Sequence, residues 1–149
     1  MAHSCKDWFR LIISGIGVFL GVSAFIAFFC VYGNHAAGVW ALFSGIFAAV
    51  CLHLHYLHFQ DRLDSWHSIE TLQGVKLLGV MAALAGGAGF VWYIFVALYY
   101  NIPVMPVGPS DFITSVWAFM TFKWGVMMIL FSQMYSSIIF RDNPRLLSV

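Results

Sequence analysis

Three histidines fall within six positions of one apolar run, CLHLHYLHFQD, residues 51 to 61. A neutral imidazole can ligate iron, copper or zinc, so His53, His55 and His58 are the first residues to weigh. At about 100° per residue on a helix, His55 and His58 lie about 60° apart and share a stripe. That stripe continues into Asp61 and Arg62. His53 points nearly opposite His55 and shares its face with Tyr56 and Gln60. Two further features could do chemistry. Lys123 interrupts the apolar run FITSVWAFMTFKWGVMM, and Phe131 and Tyr135 stand four residues apart just beyond it.

The surroundings select among the metals. Zinc wants three or four converging His, Cys or carboxylate ligands, and the other apolar runs contain no carboxylate to complete such a set. Copper passage would call for clustered thiols or a Met-x-x-x-Met pair, whereas Met127 and Met128 are adjacent and Met120 stands alone. Haem fits better. It needs only one or two axial ligands within a large apolar and aromatic surround, and 18% of this chain is aromatic. An intramembrane ammonium such as Lys123 needs a partner or a purpose, and haem carries two propionates. On spacing alone Phe131 and Tyr135 read as an aromatic pair.

The elements that hold these residues follow from composition. Of 149 residues, 62% are hydrophobic and 9% charged, against about 45–50% apolar and about 25% charged in soluble domains. A soluble chain could not cover that much apolar surface. The reading is an all-α integral membrane protein with four transmembrane helices at about 11–32, 37–59, 75–99 and 112–138, each exceeding the roughly 20 residues a crossing needs. Together they make one domain, residues 1–149. Lys6, Arg10, Arg62, Lys76, Arg141 and Arg145 all fall on one side, and loops 33–36 and 100–111 carry no Lys or Arg. Both termini are therefore expected in the cytosol.

Gly17 and Gly21 in the first span, and Gly79, Ala83 and Gly87 in the third, are spaced to let helices approach closely. The loop NIPVMPVGPSD should be turn-rich, with Ser110 or Asp111 capping the fourth helix. Trp8, Trp40, Trp66, Tyr99 and Tyr100 read as interfacial anchors. Cys5, Cys30 and Cys51 are isolated and read as packing residues or thiols. No basic patch suggests nucleic acid, and no phosphate-binding motif suggests direct ATP use.

Helix 2 ending in HYLHFQD, the run VWAFMTFKW and the F-x-x-x-Y element after it together resemble the haem-responsive-gene family of four-helix haem transporters (solute carrier family 48). The similarity extends over nearly the whole chain, and W-x-F-x-x-F-K-W is its most specific part. The resemblance implies haem passing from the extracellular space or an endolysosomal lumen into the cytosol, without enzyme activity. It assigns a helix 2 histidine five residues before Gln-Asp, here His55, as the haem-iron ligand. On the same stripe, His58 is read as a second station towards the cytosol. The resemblance also assigns Phe131 and Tyr135 to the haem path. Where the family often has a basic residue or histidine between those aromatics, this chain has Ser132, Gln133 and Met134. Some members also carry a histidine in the second exoplasmic loop. None occurs here, which leaves His35, or Tyr99 and Tyr100, for capture.

Three rivals make different demands. A b-type electron-transfer protein needs histidines facing each other from different helices, and three of the four spans have none. A small drug/proton exchanger wants an intramembrane acid, which the first span lacks. A structural or adaptor membrane protein leaves Lys123 and the histidines unexplained. Homo-oligomerisation stays open. The tail from Asp142 resembles an acidic dileucine sorting signal at Leu146 and Leu147, and Tyr135-Ser-Ser-Ile138 a tyrosine-based one. Both are compatible with an endolysosomal membrane, the plasma membrane or both.

Overall fold

A computed structural model describes residues 5–142. The dileucine pair Leu146–Leu147 and Arg145 lie outside the described residues. The chain forms α1 (Cys5–Ile26), continued by a π-helical turn (Ala27–Val31), then α2 (His35–Phe59), a short α3 (Leu63–Trp66), α4 (Ile69–Tyr99) and α5 (Asp111–Asp142). Four helices are long and apolar enough to cross a membrane, and no strand occurs among the described residues. This is a multi-pass membrane protein.

The four spans match those expected, but the ends differ. α4 begins six residues before the apolar run because Ser68 caps it: its hydroxyl accepts from the Thr71 amide at 3.2 Å, and Glu70 sits in the first turn. A capping hydroxyl and an acidic first turn start a helix whatever the hydropathy. Loop 101–110 is free of helix as expected. Ser110, however, leaves its buried hydroxyl without a partner and does not cap α5.

α1 packs on α2, α2 on α5, and α5 on α4. Small residues set these distances. A Cβ on Gly21 would lie 2.5 Å from the Gly45 Cα, so α1 and α2 meet backbone to backbone there. Between α4 and α5 the tightest point is Gly86, where a Cβ would strike the Phe122 amide nitrogen. Gly87, the residue expected from i, i+4 spacing, makes only ordinary contact with the Phe122 ring. The outward faces stay apolar, with Phe19, Leu84, Val91 and Trp92 exposed, as lipid contact requires.

Among the expected anchors, Trp8, Trp66, Tyr99 and Tyr100 are exposed. Trp40 departs from that expectation. It is half-buried, and its ring fills the space that a side chain at Gly89 would occupy, so it is a packing residue between α2 and α4.

Asn34 fastens the two interhelical links at the end of the bundle opposite the termini. Its Oδ1 caps α2 by accepting from the Ala37 amide at 3.0 Å and also accepts from the Thr114 hydroxyl at 3.3 Å. Its Nδ2 donates to the Val107 and Ser110 carbonyls at 3.1 and 3.2 Å. Asn34→Ala removes the cap and strands two carbonyls, so it should cost about 2–3 kcal/mol. A clear fall in melting temperature in detergent would register that loss, and an unchanged one would show that the network adds nothing.

Candidate functional site

The second half of α2 meets the second half of α5. Their facing side chains, with those of α3 and α4, make an apolar core of Leu54, Leu57, Leu63, Leu72, Tyr135 and Ile139. His55 lies within this packing, 3% exposed. Its Nδ1 is 2.6 Å from the hydroxyl of Tyr135, a residue that is 1% exposed. The imidazole meets the Phe131 ring edge-on at a centroid distance of 4.3 Å, and His58 stacks tilted on Tyr135 at 4.9 Å. The stripe of His55 and His58 thus meets the pair Phe131 and Tyr135.

His55 Nε2 is buried without a hydrogen-bond partner. The pairing at the other nitrogen gives this meaning. If Nδ1–H donates to the tyrosine oxygen, the lone pair sits on Nε2 and is free to ligate. Tyr135 then orients the ring, as outer partners of metal-ligating histidines do.

His53 points away from this group, as its angle required. It is exposed and meets the ring of His67 at 5.4 Å. Neither nitrogen of His67 has a partner, and burial, then the neighbouring His53, lowers its pKa below the ordinary histidine value. His35 belongs to neither group. It is the first residue of α2, not a loop residue, and packs on Phe29. Twenty positions from His55, it stands about 30 Å away along the helix. Tyr99 and Tyr100 pack on each other at the end of α4.

Lys123 lies twelve residues into α5, about 18 Å from its start, and is half-buried. Its ammonium rests over the Trp124 ring at 4.7 Å, a partner that the pairing with haem propionates had not suggested. Both residues border a cleft of about 110 Å³ between α1 and α5. Arg10 borders the same cleft, with its guanidinium 5.8 Å from the Phe131 ring centroid. Sequence reasoning had used Arg10 only for topology. Its place immediately before the first apolar run was the available signal.

Residues 72–124 match the family described as haem-transporter, endosomal/lysosomal, haem-responsive gene. Over 155 aligned positions the chain is also 26% identical to heme transporter hrg-1 of Caenorhabditis elegans, covering 97% of this chain and 78% of that protein. Over α4 and the first half of α5 the chain is similar to the haem-responsive-gene family of haem transporters. The family match takes in α4 and the first half of α5, including Lys123 and Trp124. His55, Phe131 and Tyr135 fall outside it but inside the alignment with the nematode haem-responsive protein. No solved structure matches this chain.

Proposed function

We propose that this protein carries haem from the extracellular space or an endolysosomal lumen into the cytosol, with both termini cytosolic and its four spans acting as one domain. Haem is cargo, and the chain performs no catalysis. The observation that carries the reading is His55: a buried imidazole with one nitrogen engaged by Tyr135 and the other unpartnered. A single free nitrogen offers iron one bond, which suits a site that must also release. His58 is the next station towards the termini. Phe131 touches His55 and also borders the α1–α5 cleft, and its rotation would connect the two. His35 is a capture residue at the opposite end.

The partial match to a haem-transporter family described as endosomal/lysosomal, and the similarity to a nematode heme transporter, support the same reading. A fixed-haem electron carrier finds less support, because the group facing His55 from another helix is a tyrosine hydroxyl.

Growth of a haem-auxotrophic cell on external haem, at matched surface or endosomal protein level, tests transport. Failure to complement would reject it. Lys123→Met keeps the stem and removes the charge, whereas Lys123→Arg keeps the charge. If Lys123 meets a propionate, the Met variant should lose most uptake, on the order of tenfold, as expected for a lost charged hydrogen bond. The Arg variant should retain a measurable part. Normal uptake by Lys123→Met would remove this residue from the path.

A further inference from the structure

The cleft between α1 and α5 holds an excess of donors. Arg10 offers five N–H groups and Lys123 three. Trp124 is 2% exposed, yet its indole Nε1 has no acceptor although the residue lines the cleft. No carboxylate lines it, and the remaining walls are Ser14 and apolar side chains such as Met127 and Phe131.

Neither cation is saturated by the partner it has. Arg10 reaches Asp7 at 3.6 Å, in an i, i+3 pair whose side chains are 31% and 24% exposed, and such pairs contribute little. Lys123 rests on an aromatic face, which holds the charge but accepts no conventional hydrogen bond. Arg10 and Lys123 come from different helices. Lys123 and Phe131 are eight residues apart on α5, about 12 Å, and Arg10 sits at the Phe131 end. The cleft therefore presents positive charge at two separated points along an aromatic wall. α5 supplies no other cation before Arg141, so the charge beside Phe131 comes from α1.

We propose that this cleft is a dicarboxylate site in which Arg10 and Lys123 each hold one propionate of haem, with the Trp124 indole N–H donating to the Lys123-bound carboxylate. This rests on the haem reading above and adds α1, through Arg10, to the substrate-contacting elements. At about 110 Å³ the cleft is smaller than the roughly 300–1,000 Å³ of pockets that enclose a whole ligand. It receives the carboxylates first, and the macrocycle follows when α1 moves off α5.

The test compares haem with haem dimethyl ester, whose propionates are uncharged, in absorbance titrations of the purified full chain in nanodiscs. Arg10→Gln and Lys123→Met should each weaken haem binding about ten- to hundredfold, the range for a lost charged hydrogen bond. Both should leave ester binding unchanged. Arg10→Lys should recover part of the loss, which a failure to fold would not allow. Equal losses for haem and ester in Arg10→Gln would assign Arg10 to structure and overturn the proposal. So would tight haem binding unaffected by either substitution, although the haem reading would then stand. An unaltered chain that binds neither compound would overturn the haem reading and this proposal together.

Discussion

His55→Ala is expected to lower haem delivery by at least about tenfold, because loss of a mere outer partner of a metal ligand already costs about 10–100-fold. His55 combines burial with a free Nε2, and among the described residues no other buried histidine nitrogen without a partner adjoins it. Tyr135→Phe keeps the ring in the core but removes the bond to Nδ1. It should give an intermediate loss, with iron still bound but less tightly and with a shifted absorbance maximum. His58→Ala should also fall between, since His58 stacks on Tyr135 and is half-buried. His53→Ala should be mildest, because His53 faces away. Growth on haem at matched protein level ranks the four variants. A His53 variant as damaged as the His55 variant would show that the facial argument is wrong and that the His53–His67 pair takes part in transport.

Gly86→Ala should damage the fold more than a methyl group ordinarily does. Its Cβ would meet the Phe122 amide nitrogen and lie 2.8 Å from the Ala118 carbonyl oxygen. Both are backbone atoms of α5, so no side chain can rotate away and the helices must separate. Overpacking a tight interface costs about 1–3 kcal/mol, and a backbone-on-backbone contact belongs at the top of that range. Gly87→Ala is the matched control. Its Cβ would sit 3.4 Å from the Phe122 ring, an ordinary contact, and alanine favours helix by about 0.5–1 kcal/mol. Thermal unfolding in detergent should show a large fall for the first variant and none for the second. Equal midpoints would mean that the α4–α5 interface has slack that its geometry does not show.

These two predictions separate what local pattern reveals from what it hides. The spans were legible because lipid demands long apolar helices and this chain supplies four. His55 and His58 could be placed on one face, with His53 opposite, because helical angles need only positions along one element. Phe131 and Tyr135 were legible as a pair for the same reason. That His55 meets Tyr135, eighty residues away, is a matter of how α2 and α5 turn towards each other. Spacing within either helix cannot give it; only the family resemblance had named both residues. Gly86 was missed in favour of Gly87 because an i, i+4 count does not report which edge of a small-residue stripe touches the neighbour. Arg10 was read for the side of the membrane it marks, and its place beside Phe131 depends on a partner helix the first span does not encode. The early start of α4 was legible after all, in Ser68 and Glu70, but hydropathy outweighed it.

The fastening at Asn34 has a mechanical consequence. A helix pair tied at one end behaves as a lever, with its fulcrum at the tie and its greatest travel at the free tip. α1 hangs from the fulcrum by a π-helical turn and Gly33, whose φ of +68° lets the chain reverse there. From Asn34 to Arg10 is about 36 Å at helical rise, so a swing of only about 10° would carry Arg10 about 6 Å. The same swing moves the stretch beside Lys123, which is nearer the fulcrum, by roughly half as much. A wedge that opens from Arg10 inwards would admit or discharge a flat, two-armed ligand one arm at a time, with the Arg10 arm leaving first.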